Sequence, residues 1–135
     1  MEDKAIKQVE SFMTNWKQKK FVEMFDNSQI TWKEENKQGD IKILFKDLKL
    51  ESFEVLGTKK IGKALIGVAT EMKINGETAV SNVMVVFENG KYNAHPNGLP
   101  GVNPISVLRY KFVESSPVEE NPMPKAKTAP KKQKK

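Results

Sequence analysis

The side chains able to do chemistry are few and scattered. His95 is the only histidine and there is no cysteine. A histidine pair, a thiol nucleophile and cysteine-ligated zinc are therefore excluded. His95 could serve as a general base, although a loop residue beside Pro96 needs no such role. Glu34, Glu35, Asp40, Asp47 and Glu88 stand in polar stretches expected of a surface. Asp26, which follows the apolar run from Phe21 to Phe25, is the acid best placed for proton transfer; a turn or capping role competes. Gly57, Gly62 and Gly67 lack the spacing of a phosphate loop and open no helix. Lys59, Lys60 and Lys63 cluster beside a turn, as solvated charges do. No catalytic residue, metal site or cofactor is assigned.

The net charge of +6 is unevenly placed. Residues 114–135 hold six lysines (Lys125, Lys127, Lys131, Lys132, Lys134 and Lys135), and no acid follows Lys125. Four of the seven prolines fall in the same stretch. With almost no large apolar residue it cannot offset the entropy of ordering, so a disordered basic tail is expected after a domain of residues 1–113. The tail lysines could contact nucleic acid. Neutralising about five phosphate charges gives weak, salt-dependent binding, and no aromatic side chain is present for base stacking. A purely solubilising tail is the alternative. Met1-Glu2-Asp3-Lys4 leads into no apolar run, so neither a secretory signal nor a membrane span is expected. The expected location is cytoplasmic.

The elements that must position these side chains are more legible. Ile6, Val9, Phe12, Met13 and Trp16 recur at three- and four-residue steps, which predicts a helix over 4–17. Phe21, Met24, Phe25, Ser28 and Trp32 extend a second stripe and predict a helix over 19–33. A strand over 29–33 is the competing reading, because Ile30, Thr31 and Trp32 favour one. Ile41, Leu44, Phe45 and Leu48 predict a short third helix with Asp40 as its N-cap. Alternation of Ile41, Ile43 and Phe45 again leaves a strand open.

From Leu48 the period changes to two. Three strands are predicted, the first over 48–57 with a bulge between Leu50 and Phe53, then a loose turn from Gly57 to Gly62. Asn75-Gly76 and Asn89-Gly90 are both the dipeptide that two-residue type I′ turns favour. Counting outward from the first turn pairs Met72 with Ala79, Val68 with Val83 and Ile66 with Val85. That face is apolar and uncharged, and becomes the core face. The other face pairs Leu65 with Val86, Gly67 with Met84, Ala69 with Asn82 and Glu71 with Val80. It is more apolar than a solvated face requires, so a covering layer or a second copy of the chain is expected over it. Counting from the second turn sets Tyr92 opposite Phe87 and His95 opposite Met84. Ile105–Phe112 is expected to add an edge strand or a short helix.

This layout, α+β with N-terminal helices followed by a curved antiparallel sheet, resembles the NTF2-like (cystatin-like) cone fold. The likeness runs over residues 4–110 and rests on "SQITWKEEN", "VVFENGKYN" and "GVNPISVLRY". Tyr92 departs from it, since tryptophan is commoner there. The resemblance implies a pocket inside the cone and dimerisation through the convex face. The pocket candidates are Trp16, Phe25, Trp32, Phe87 and Tyr92. Leu65, Val80, Asn82, Met84 and Val86 are the candidates for a homodimer interface. Three functions fit. The preferred one is a non-enzymatic, dimeric binding or scaffolding protein. The others are a small-molecule binder or isomerase-like enzyme using the cone, and a nucleic-acid-associated protein acting through the tail. Fold alone does not choose among them.

Overall fold

A computed structural model of the chain describes residues 1–113; the tail over 114–135 lies outside them. The element order is α1 (Glu2–Lys17), α2 (Phe21–Asp26), α3 (Ile30–Glu35), α4 (Gln38–Phe45), β1 (Leu50–Gly62), β2 (Leu65–Ile74), β3 (Glu77–Asn89), β4 (Asn93–Ala94), β5 (Leu99–Val102), α5 (Pro104–Leu108) and β6 (Lys111–Phe112). The class is α+β, with N-terminal helices packed against one antiparallel sheet. None of the described helices is long and apolar enough to cross a membrane.

Helix α1 buries Ala5, Val9, Phe12, Met13 and Trp16, the stripe its spacing predicts with Ala5 in place of Ile6. Phe45 of α4 meets the rings of Phe12 and Trp16 edge-on, with centroids 5.7 and 4.9 Å away. Burying an aromatic ring of this kind contributes about 1.5–3 kcal/mol. The Trp16 indole N–H donates to the Leu48 carbonyl at 2.8 Å, so its polar end is satisfied. The inner face of the sheet adds Ile66, Val68, Met72, Ile74, Ala79, Val83, Val85 and Phe87, all buried.

The hairpin of β2 and β3 has the register expected from Asn75-Gly76, including Leu65 opposite Val86 and Ala69 opposite Asn82. Asn75 and Gly76 both take positive φ, 51° and 85°. The bulge expected near Leu50 is present as a register shift between Leu50 and Ser52. Two more shifts follow, and β1 runs on to Gly62 rather than turning at Gly57.

Three expectations are corrected. The second helix is not continuous: α2 stops at Asp26, and Gln29 is extended at φ −63° and ψ 153°. The apolar stripe could not reveal the competitor, which is β5. Ser28 bridges Val102 in parallel. The Gln29 amide donates to the Val102 carbonyl at 2.9 Å, and the Val102 amide donates to the Asn27 carbonyl at 2.8 Å. The second correction is at α4. It starts at Gln38, so Asp40 is its third residue, where a carboxylate oxygen accepts from the Lys37 amide at 2.7 Å. The third is the second Asn-Gly. Asn89 pairs with Asn93, so three residues form the turn. Lys91 and Tyr92, not Asn89 and Gly90, take positive φ. The Phe87 carbonyl therefore accepts from the His95 amide on that edge instead of facing Tyr92, and Pro100 of β5 pairs with Phe87 on the other.

The chain after this turn serves both edges of β3. β4 pairs with Glu88 and Asn89, and β5 covers residues 85–88. The Met84 carbonyl accepts from the Asn103 amide, and the Met84 amide donates to the Ser106 hydroxyl oxygen. β6 then pairs with Ala79 and Val80. The segment 105–112 thus supplies both a helix and a strand.

Where β5 crosses the α2–α3 link, Gly101 lies against bare backbone. A Cβ built there would stand 2.7 Å from the Gln29 nitrogen and 3.0 Å from the Ser28 carbonyl carbon. Gly101→Ala is expected to lower the unfolding free energy by about 1–3 kcal/mol. Gly39→Ala, where a Cβ meets nothing within 4 Å, raises it by roughly 0.5–1 kcal/mol. Urea denaturation measures both.

Candidate functional site

Alternation along β3 sends Val80, Asn82, Met84 and Val86 to the back of the sheet, the face away from α1. Leu65 of β2 joins them opposite Val86. Leu65, Val80, Met84 and Val86 are half-buried and Asn82 is exposed. The dimer-interface candidates thus share one continuous face. Gly67 and Ala69 leave its centre low. The Asn82 side chain leans over Gly67, where an added Cβ would lie 2.7 Å from its Oδ1. The result is a groove of about 360 Å³ lined by Leu56, Thr58, Lys59, Gly67, Ala69 and Asn82. Leu56 on its wall is 53% exposed.

The pocket candidates disperse. Trp16 and Phe87 are buried in the core. Phe25 and Trp32 meet edge-on with centroids 6.1 Å apart, half-buried. Tyr92 is 42% exposed at the β3–β4 turn. The structure brings only Phe25 and Trp32 into ring contact. Four surface depressions are described, of about 210, 300, 360 and 470 Å³, and none is lined by any of the five.

The sequence pattern misplaced Glu88. Its polar surroundings in sequence suggested a surface, yet it is 4% exposed. β4 and β5 flank it on either edge, and the first turn of α3 covers it. One carboxylate oxygen accepts from the Thr31 amide at 3.1 Å. The other accepts from the Thr31 hydroxyl, and from the Gln29 side-chain amide at 3.5 Å. A buried acid among apolar walls could serve as a general base. Here both oxygens are engaged, so Glu88 ties β3 to α3. Gln29 Oε1 is buried without a partner. Glu88 was legible only through Thr31, a hydroxyl at the second position of a helix that no periodicity separated from α2.

His95 is exposed. Its Nδ1 accepts from the Asn97 amide at 3.1 Å, and its own amide donates to the Phe87 carbonyl at 2.7 Å. It stands beside Phe87, not Met84 as counted, because the turn spans residues 90–92 rather than 89–90, which moves the pairing by three residues. Asp26 is exposed at the end of α2. Tyr92 reaches Glu34, whose hydrogen bond raises the phenol above its ordinary pKa; slight desolvation and the charges of Glu34, Glu35 and Glu88 act in the same direction. Among the described residues no group of three or more His, Asp or Glu side chains is placed to hold a metal. Lys125, Lys127, Lys131, Lys132, Lys134 and Lys135 lie outside the described residues. Comparison with family models, curated proteins and solved structures gave no match.

Glu88→Ala should lower stability by about 2 kcal/mol, since it strips the Thr31 donors of their buried acceptor. Thr31→Val removes one donor and should cost about 1 kcal/mol. Urea denaturation of the two variants tests the tie. Tyr92 stays neutral to higher pH in the folded chain than in the unfolded one. Its contribution is present below the unfolded pKa and is lost as pH rises through the raised folded value, so it acts only in the alkaline range. Glu34→Gln should move the Tyr92 phenolate transition to lower pH. Ultraviolet titration reads it, with Tyr92→Phe isolating the Tyr110 signal.

Proposed function

We propose that this chain is a non-enzymatic binding or scaffolding protein of the NTF2-like type that works as a homodimer through the back of its sheet. One observation carries the reading. Leu65, Val80, Met84 and Val86 form a half-buried apolar row on one side of the β2–β3 hairpin, next to the groove over Gly67 and Ala69. An apolar face of this extent favours a protein partner. A two-fold contact would let Asn82 of each copy pair with the groove of the other, since such an interface is self-complementary. The element order, helices first and then an antiparallel meander, supports the NTF2-like type.

The non-enzymatic part rests on two features. The inner face of the sheet is filled by Trp16, Phe12 and Phe45 where a cone cavity would lie. The one buried acid of the described residues, Glu88, has both oxygens engaged.

Sedimentation velocity tests the proposal. At roughly 100 μM the chain should sediment as a dimer, within reach of a standard interface of about 800 Å² per partner. Met84→Glu should shift it to monomer with unchanged secondary structure. A wild-type chain that stays monomeric at that concentration overturns the reading. So does a dimer that Met84→Glu leaves intact.

A further inference from the structure

The largest of the four depressions, about 470 Å³, opens between the α1–α2 link and the first turn of α4. Its charged lining is Lys19, Lys20 and Lys42 against a single acid, Glu23. Phe21 and Val22 supply the apolar part of the wall, and Val22 is 49% exposed. Among the described residues none of the three lysines has a carboxylate within ion-pair distance. The nearest acid in α4, Asp40, is turned to the Lys37 amide.

The backbone at Lys19 points to a use for its side chain. Helix α1 closes with the Lys19 amide donating to the Trp16 carbonyl at 2.9 Å and the Lys20 amide donating to the Asn15 carbonyl at 2.8 Å. Lys19 sits at φ 58° in this closing turn. Glycine is the default there because a Cβ is disfavoured in the left-handed region. A lysine is strained at a position where glycine would be relaxed, and strained residues gather at ligand sites. The closing turn sets both Lys19 and Lys20 at the cleft. The cleft lies within the size range of small-molecule sites, which combine apolar walls with a few polar groups that fix orientation.

We propose that this cleft binds a small anionic amphiphile, with a phosphate or carboxylate head among Lys19, Lys20 and Lys42 and an apolar body on Phe21 and Val22. The charge count, three cations to one anion, selects the head. The two apolar side chains select the body, which inorganic phosphate lacks. The concave shape suits a free monomer rather than a flat bilayer.

Two variants separate binding from folding. Lys19→Gly relaxes the turn and removes one cation. Gly39→Leu fills the rim, where a Cβ meets no atom within 4 Å. The probe is decyl phosphate below its critical micelle concentration, titrated calorimetrically into the full chain. Saturable one-to-one binding is expected, weakened by added salt. Lys19→Gly should reduce affinity about tenfold, the loss of one charge-assisted contact, while its melting temperature holds or rises. Gly39→Leu should abolish binding without unfolding the chain. Inorganic phosphate should bind at least about tenfold more weakly, having no apolar body. The proposal is overturned if decyl phosphate does not saturate, or if both variants bind it as the wild type does. Binding confined to phosphatidylglycerol vesicles, with none to the monomer, overturns it as well.

Discussion

The architecture depends on one requirement: the backbone groups of β3 beyond its pairing with β2 must find partners. A buried strand cannot leave N–H and C=O groups bare. β3 has 13 residues and β2 only 10, so a ladder with β2 alone is insufficient. The chain after Asn89 meets the need piecewise. β4 and β5 take the far end, Asn103 and Ser106 hold Met84, and β6 takes the near end. Once β5 is laid down, its own free side presents Val102 to the helical layer. Asn27 and Gln29 answer it, which splits one predicted helix into α2 and α3. The split brings Thr31 over Glu88. A buried carboxylate, a broken helix and a glycine that tolerates no side chain are thus consequences of one strand edge.

The same requirement shapes where a partner can dock. With β5, α5 and β6 along it, β3 offers little edge for strand addition. β1 forms the other border of the sheet, and three register shifts with Lys59 and Lys60 interrupt it. Bulges and lysines are how sheets blunt an exposed edge. Edge-to-edge association is disfavoured at both borders, which directs the proposed dimer to a face. The inner face is taken by α1, which Phe45 of α4 backs. The back, with its small central residues and half-buried rim, is the face that remains. In the proposed dimer Asn82, a polar side chain over Gly67, would fix a register that Val80, Met84 and Val86 alone would leave slippery.

Local signals were legible where local physics decides. The α1 stripe names four of the five side chains that helix buries, and Asn75-Gly76 fixes ten pairings of β2 with β3 because both residues can take positive φ. Asn89-Gly90 carries the same signal and fails. The turn forms at residues 90–92 instead, with Lys91 and Tyr92 at positive φ, so His95 rather than Tyr92 comes beside Phe87. The break after Asp26 was hidden because Ser28 and Trp32 continue the helical spacing, while the force that breaks it comes from Val102, far along the chain. Glu88 was misread for the same reason: its burial depends on elements that no window around it contains. The grouping of Leu65, Val80, Asn82, Met84 and Val86 on one face was legible, because it follows from the register. The cleft at Lys19 was not, since its walls come from two helices and its clearest mark is a φ angle.

Amide hydrogen exchange under native conditions tests most directly whether β5 organises the molecule. The account predicts that the amides of Gln29, Val102 and Asn103 exchange only through global unfolding, with the same protection as Val83 and Val85 at the centre of β3. If Gln29 and Val102 exchange through local opening while β3 stays protected, the tie between the sheet edge and the helical layer is not what holds the two together, and the account is contradicted.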